Sequence, residues 1–125
     1  MEINKKILVI DDEVHIRRVI EIKLKNRGYQ VITAKNGLDG FELIKTQKPD
    51  AVITDINMPG MDGESLCRLS DPIKKERPFL TIVMTARISP EEQDWISKLT
   101  DTQFMEKPFS PAKLLEAINK YFGIV

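Results

Sequence analysis

Short apolar runs alternate with longer amphipathic segments along the whole chain. Five runs have the length and the β-branched composition of buried strands, and they lie at residues 7–10, 29–33, 51–54, 80–84 and 102–105. The segments that follow them place apolar residues at helical spacing: residues 13–27, the stretch of Leu38, Phe41, Leu43 and Ile44, residues 64–70, the stretch of Trp95, Ile96 and Leu99, and the stretch of Leu114, Leu115, Ile118, Tyr121 and Phe122. The pattern therefore predicts five strands and five helices in strict alternation.

Residues that favour helix ends flank these segments. Asn36 is predicted to cap the second helix, and Gly28 follows the first helix where a positive φ is often needed. Residues 89–92 (Ser-Pro-Glu-Glu) combine a capping box with proline at the first helical position, and residues 110–111 (Ser-Pro) repeat that start. Residues 71–72 (Asp-Pro) are predicted to end the third helix, because the position before a proline disfavours helical geometry.

This alternation predicts an α/β fold, a three-layer doubly wound (βα)5 sandwich around a parallel sheet. Strand–helix–strand units of this kind have right-handed crossovers, which place helices on both faces of the sheet. In such sheets the functional site lies outside the carboxyl ends of the strands. The polar residues that directly follow each apolar run are therefore the candidates for chemistry.

Carboxylates, a hydroxyl and an ammonium follow four of the predicted strands. They belong to Asp11, Asp12, Asp55, Thr85 and Lys107. Crowded carboxylates without histidine or cysteine favour a hard divalent cation such as Mg²⁺. Such an ion, with an ammonium and a hydroxyl, would neutralise and position a phosphoryl group, and a carboxylate can act as its nucleophile. Each residue alone is equally typical of a turn, a cap, a strand or a solvated charge, so the prediction depends on their combination.

The composition excludes several classes of protein. Nineteen basic residues balance nineteen acidic ones among 125, so no global basic surplus exists for coating nucleic acid. The single cysteine, Cys67, is predicted to be a small core residue, and it indicates a reducing compartment. No signal peptide or membrane-spanning run is recognisable, so we expect a cytoplasmic protein. His15 is predicted to be exposed and Trp95 to pack in the core.

Motifs of other phosphate or acyl chemistries are missing from the sequence. It contains no Gly-x-Gly-x-x-Gly after the first strand and no Gly-x-x-x-x-Gly-Lys-Ser/Thr, which disfavours dinucleotide binding and a P-loop nucleotidase. It also contains no Gly-x-Ser-x-Gly elbow of a serine hydrolase.

The combined motifs resemble the receiver domain of bacterial-type response regulators, the phosphoaccepting half of two-component signalling. The resemblance covers residues 7–122 and depends on residues 7–13 (Ile-Leu-Val-Ile-Asp-Asp-Glu), 54–63 (Thr-Asp-Ile-Asn-Met-Pro-Gly-Met-Asp-Gly), 84–86 (Met-Thr-Ala) and 107–109 (Lys-Pro-Phe). It implies a flavodoxin-like sheet of five parallel strands in the order 2-1-3-4-5. It also implies that residues 1–125 form a single receiver domain.

The resemblance implies a metal site and a phosphoacceptor. Asp55 would accept a phosphoryl group from the phosphohistidine of a histidine kinase or a phosphotransfer protein. Mg²⁺ (or Mn²⁺) would be bound by the side chains of Asp12 and Asp55 and by the backbone carbonyl of Asn57, and Asp11 would help through water. The domain would be a signalling phosphoprotein that assists its own phosphorylation and autodephosphorylation, not an enzyme acting on a separate substrate.

The resemblance also implies a switch. Lys107 would contact the phosphoryl group, with a cis peptide bond to Pro108. Thr85 would be the hydroxyl that moves towards the phosphate, and Phe104 the aromatic that follows it inward. This movement would change the surface formed by the fourth helix, fifth strand and fifth helix, to which an effector protein would bind. The domain itself would be a monomer or a weak dimer. No direct contact with nucleic acid or membrane is expected.

Residues 99–101 (Leu-Thr-Asp) differ from the family, which often has Gly-Ala before the fifth strand. Asn57 and Arg87 occupy the family's positions that tune loss of the phosphoryl group, because these positions flank the path of the attacking water, and the resemblance implies that the two residues set its lifetime. The altered end of the fourth helix motivates an alternative function, a phosphorylation-independent docking module. A metal-dependent phosphatase is a more distant alternative, since no separate general base is apparent. The sequence leaves open whether the chain stands alone or belongs to a longer regulator.

Overall fold

The computed structural model describes residues 2–125 and contains the predicted alternation of strands and helices. The strands are β1 (Lys6–Ile10), β2 (Gln30–Ala34), β3 (Ala51–Asp55), β4 (Leu80–Thr85) and β5 (Thr102–Glu106). The α-helices are α1 (Val14–Arg27), α2 (Gly37–Gln47), α3 (Gly63–Ser70), α4 (Pro90–Ser97) and α5 (Pro111–Phe122). A 3₁₀ helix, Asp71–Lys75, follows α3, so the predicted stop at residues 71–72 ends the α-helix but not the helical turn.

The five strands form one parallel sheet in the order β2-β1-β3-β4-β5. This arrangement confirms the predicted α/β class and strand order. The register pairs Ile10 with Thr54, and Thr85 with Glu106. Because parallel strands in this register end at the same edge of the sheet, the residues that follow β1, β3, β4 and β5 converge there.

Helices cover both faces of the sheet because alternate strand residues point to opposite sides. On one face, Val9 and Ile53 pack with side chains of α1 and α5, which include Ile20 and Ile118. The other face packs against α2, α3 and α4 in two clusters. The first cluster contains Leu8, Ile10, Ile44 and Leu66, and the second contains Cys67, Val83, Trp95 and Ile96. Cys67 and Trp95 are therefore buried as predicted, and His15 is exposed.

The predicted helix ends are confirmed where a single residue determines them. Asn36 Oδ1 accepts a hydrogen bond from the backbone N–H of Asp39 at 2.8 Å. Gly28 ends α1 with φ 113°, a left-handed conformation that glycine adopts without steric cost. Ser89 and Ser110 cap α4 and α5 through their side chains.

One apolar position, Leu99, was predicted wrongly as part of the fourth helix. Leu38 lies on α2 as predicted, but it is 60% exposed. The inner face instead contains Gly37, Gly40 and Ile44, because the backbone of α2 lies directly against the side chain of Ile10 at Gly40 and leaves no room for a larger residue. Leu99 lies beyond the end of α4, in the turn before β5, where it packs on the core from outside the helix.

On α1, where the spacing left two choices at each of two turns, Ile20 is buried and Val19 is exposed. Ile22 is also exposed. No helix within residues 2–125 is both long enough and apolar enough to cross a membrane.

Candidate phosphoryl-acceptor site

The loop after β3 is held close to the start of α3 by a glycine. The backbone N–H of Gly63 donates to the carbonyl of Ile56 at 2.8 Å. A Cβ atom at position 63 would lie 2.6 Å from the carbonyl oxygen of Asp55 and 2.7 Å from Cα of Ile56, closer than real Cβ contacts allow. Residue 63 must therefore be glycine for the loop to return to Asp55 in this way, and Asp62 then caps α3 by accepting from Ser65 N–H.

Three carboxylates meet at the carboxyl ends of β1 and β3. Asp11, Asp12 and Asp55 each offer an oxygen, and these oxygens lie within 4.8 Å of one another. Asp11 and Asp55 are buried, whereas Asp12 is exposed. The cluster thus joins two shielded carboxylates to one that faces solvent.

The surroundings of Asp11 disfavour the ionised form of its carboxyl group. Its Oδ1 accepts a hydrogen bond from Glu13 N–H at 2.9 Å, but its buried Oδ2 has no hydrogen-bond partner among the described residues. Burial, together with the nearby charge of Asp55, raises the pKa of Asp11 to about 6. An unpartnered buried carboxylate oxygen in an all-oxygen cluster fits a hard divalent cation, whose charge would offset this cost.

Lys107 follows β5 and approaches Asp55 at the same edge of the sheet, whereas Asp11 and Asp12 follow β1 on the other side of β3. Its Nζ lies 3.1 Å from Asp55 Oδ1, and its backbone N–H donates to the carbonyl of Thr85 at 2.7 Å. The peptide bond between Lys107 and Pro108 is cis. The Asp55 carboxylate therefore has Asp11 and Asp12 as neighbours on one side and the ammonium of Lys107 on the other.

The hydroxyl of Thr85 is bonded within the β4–α4 region. It lies 3.1 Å from the carbonyl oxygen of Arg87 and 3.3 Å from Oε1 of Glu92. Phe104, on β5, is paired in register with Val83 and is 37% exposed. Asn57 and Arg87 both lie on the surface, after β3 and β4 respectively. Thr85 is the last residue of β4, at the same edge of the sheet as the carboxylates, and its hydroxyl is bonded to the loop and to α4.

Two residues near the site were missed in the sequence. Arg17 of α1 donates through Nη1 to the carbonyl of Asp11 at 2.7 Å, which fixes the β1–α1 loop. Glu92 contacts Thr85, although its position in the 89–92 pattern indicated only a helix cap. Ser89 Oγ does accept from Glu92 N–H at 3.1 Å, so half of the predicted capping box forms. The 89–92 pattern was the only indication of Glu92 in the sequence, and it was interpreted as a helix cap.

The fold and this edge of the sheet define a class of signalling domain, and the comparisons with known proteins agree. The family model described as response regulator receiver domain matches residues 7–119. The chain therefore belongs to the family of response regulator receiver domains, which operate in two-component signalling.

Curated relatives resemble the chain over most of its length but are themselves longer. "Probable transcriptional regulator ycf27" of Cyanophora paradoxa is 37% identical over 115 residues, which make up 91% of this chain and 47% of that protein. The protein of the same name from Guillardia theta is 35% identical over 114 residues, 91% of this chain and 44% of that protein. The chain spans about half the length of these relatives.

Solved structures are similar over nearly the whole chain. Chemotaxis protein CheY4 of Vibrio cholerae has a TM-score of 0.84 and 28% identity, covering 93% of this chain and 97% of that one. The receiver domain of Francisella response regulator 1452 has a TM-score of 0.82 and 30% identity, covering 94% and 95%. These matches agree with the flavodoxin-like strand order described above.

Proposed function

We propose that Asp55 accepts a phosphoryl group from a phosphohistidine, in a reaction that requires Mg²⁺ or Mn²⁺. One observation supports this assignment above the others. The Asp55 carboxylate, at the end of β3, lies within 4.8 Å of oxygens of Asp11 and Asp12 and 3.1 Å from the ammonium of Lys107. A histidine kinase or a phosphotransfer protein, the partners that the family implies, would present the donor group.

The transfer balances without any further reactant. An oxygen of Asp55 forms a bond to phosphorus while the bond between phosphorus and the imidazole nitrogen breaks. The phosphohistidine reacts with its other ring nitrogen already protonated, so the imidazole leaves as the neutral base. Lys107 neutralises part of the charge on the phosphoryl oxygens. The side chains of Asp12 and Asp55 and the carbonyl of Asn57 would bind the cation, with Asp11 acting through water. The cation would supply the remaining positive charge at the phosphoryl group.

The consequence of phosphorylation would be a change in surface. The new phosphoryl oxygens would accept a hydrogen bond from the Thr85 hydroxyl, and the half-exposed Phe104 would turn inward. The surface of α4, β5 and α5 would then bind an effector protein. Asn57 and Arg87 would set the lifetime of the phosphoryl group. Residues 1–125 would act as one cytoplasmic receiver domain that turns over no separate substrate.

Intact mass spectrometry tests the proposal directly. Wild type is incubated with Mg²⁺ and a phosphoramidate, and one added phosphoryl group is expected. Asp55→Asn is expected to gain none, and omission of divalent cations is expected to prevent the gain in wild type. Asp94→Asn, a change on the exposed face of α4, is the matched control and should be labelled like wild type. An unmodified wild type, or equal labelling of Asp55→Asn, would refute the proposal.

The docking-only alternative was motivated by residues 99–101, and the structure shows how this stretch is closed without glycine. Asp101 itself takes a left-handed conformation with φ 44°. Thr100 N–H donates to Asp71 Oδ1 at 2.9 Å, and the buried Lys74 donates to the carbonyls of Thr100 and Asp101. An ordered helix end removes the specific reason for this alternative. The docking-only alternative predicts that Asp55→Asn leaves partner binding unchanged.

A further inference from the structure

Glu92 is diverted from the contact that its sequence pattern predicts. In a capping box the glutamate at the third helical position returns to the backbone N–H of the capping residue, here Ser89. The Glu92 carboxylate instead places Oε1 3.3 Å from the hydroxyl of Thr85. Glu92 lies in the first turn of α4, seven residues after Thr85. It thus binds the hydroxyl at the end of β4 and not the nearby backbone of Ser89.

The Thr85 hydroxyl has only one proton to donate, so its acceptors compete for it. That proton is shared between the Glu92 carboxylate and the carbonyl of Arg87, 3.1 Å away. Of the two acceptors the carboxylate is the stronger, since it is charged. If Thr85 donates to a phosphoryl group on Asp55, it must release Glu92.

The contact is also incompletely satisfied. Oε2 of Glu92 is buried and has no hydrogen-bond partner among residues 2–125. A buried carboxylate oxygen without a partner costs stability, so this arrangement is weakly held. Glu92 has an alternative partner at the end of its own helix, because rotation of its side chain towards Ser89 N–H would complete the capping box. The side chain would therefore have a second position with a defined partner, besides the observed one at Thr85.

We propose that Glu92 is a positioning residue that holds the Thr85 hydroxyl on α4 and competes with the phosphoryl group on Asp55 for its proton. When Thr85 is released, Glu92 completes the capping box at Ser89. The proposal rests on the function proposed above, because it assumes that Asp55 is phosphorylated and that Thr85 contacts the phosphoryl group. It assigns to α4 a direct part in setting how readily the phosphorylated conformation forms.

Beryllium fluoride in the presence of Mg²⁺, a mimic of the phosphoryl group, provides the test. Binding is followed through Trp95, the single tryptophan of the chain, which lies on α4 one turn after Glu92, and by heteronuclear NMR of the Thr85 amide. Loss of a hydrogen bond to a charged group should raise the affinity of Glu92→Ala for beryllium fluoride by about three- to tenfold. Glu92→Gln, which keeps an uncharged acceptor, should lie between wild type and Glu92→Ala.

Glu91→Ala is the matched control. Glu91 precedes Glu92 in the first turn of α4 and is exposed, so the two variants lose the same charge near the positive end of the helix dipole. Its affinity should remain at the wild-type value. If Glu91→Ala and Glu92→Ala change the affinity equally, the effect is general electrostatics and the proposal is wrong.

A double-mutant cycle with Thr85→Ala excludes a merely structural effect. Without the hydroxyl, Glu92→Ala should leave the affinity for beryllium fluoride unchanged. An equal gain in both backgrounds would overturn the proposal, as would wild-type affinity in Glu92→Ala and Glu92→Gln. These results differ from failure of the proposed function, which would appear as wild type that binds no beryllium fluoride with Mg²⁺ present.

Discussion

The ammonium of Lys107 lies 3.1 Å from Oδ1 of Asp55, and the side chain of Asp55 is only 6% exposed. Asp55 ends β3 and Lys107 directly follows β5, and these two strands are not neighbours because β4 lies between them. Their contact is therefore produced by the topology of the sheet and not by local sequence. The pair places a positive charge directly at the carboxylate that we propose as the phosphoacceptor.

Replacement of this ammonium should slow phosphorylation without preventing folding. In Lys107→Met, the rate of labelling by a phosphoramidate should fall by about two orders of magnitude, because a preorganised donor to the developing charge is lost. The measurement is the time course of intact mass at fixed Mg²⁺. Lys113→Met, which removes an exposed ammonium from α5, is the control and should label at the wild-type rate. Equal rates in the two variants would argue against a role for Lys107.

The buried carboxyl of Asp11 should make stability depend on pH. Its pKa is about 6 in the folded state against 3.8 for the free group, so the folded state binds more protons between these values. The ionised carboxylate therefore costs stability above about pH 6, and this cost disappears as the pH falls towards 4. In buffer without divalent cations, Asp11→Asn should be more stable than wild type at pH 7.5 by about 1–3 kcal/mol.

Urea denaturation of both proteins across this pH range checks the prediction. The difference in the free energy of unfolding should narrow as the pH is lowered through 6. Asp12→Asn, at the exposed neighbouring position, should show a much smaller difference. A difference between Asp11→Asn and wild type that is constant from pH 4 to 7.5 would contradict the assigned cause.

The fold was predictable because its determinants are local and repeated. Apolar runs marked the strands, and residues such as Asn36 and Gly28 marked helix ends through their own backbone chemistry. The exposure of Leu38 was not apparent from the pattern, because the inner face of α2 depends on Gly40 lying against Ile10, a contact between distant elements. The contact of Glu92 with Thr85 was hidden for a related reason, since the same four residues are consistent with a purely local cap.

The close approach at Gly63 should make any side chain there costly. In Gly63→Ala, the new methyl group would overlap the carbonyl oxygen of Asp55, 2.6 Å away, and backbone atoms cannot move as a flexible side chain can. We expect a loss of about 1–3 kcal/mol in the free energy of unfolding. Phosphorylation of Asp55 should also slow, because the loop that carries Asn57 would be displaced.

Chemical denaturation and intact mass measure these two effects separately. Ser65→Ala, at an exposed position of the same helix, should change the free energy of unfolding by no more than about 0.5 kcal/mol. Wild-type stability in Gly63→Ala would show that the loop accommodates a methyl group and would invalidate this account of the site.

Lys74 should produce a pH effect of the opposite sign. The residue is 7% exposed, and burial lowers the pKa of its ammonium to about 8 from 10.5. Between these values the unfolded chain binds more protons, so the contribution of Lys74 to stability rises with pH. Relative to Lys74→Met, wild type should gain about 1–3 kcal/mol between pH 7 and pH 9.5.

The comparison is made by denaturation at several pH values. Lys75→Met is the control, because Lys75 is the exposed neighbour on the same 3₁₀ helix, and its difference from wild type should not vary with pH. A flat difference for Lys74→Met as well would mean that the ammonium is not desolvated in the native protein.

The closure around Thr100 has a mechanical consequence for α4. The turn that follows α4 is held by Asp71 and the buried Lys74 through several hydrogen bonds. The start of α4 is linked to Thr85 through Glu92 and to β5 by an exposed hydrogen bond from Ile88 N–H to Glu106 Oε1 at 3.2 Å. Because the turn after α4 is the more firmly bonded end, we expect the displacement of α4 to be greatest at Ser89 and smallest at the turn before β5. The output of the domain would then be a change in the tilt of α4, and it would be greatest for an effector that contacts the start of α4 on the α4, β5 and α5 surface.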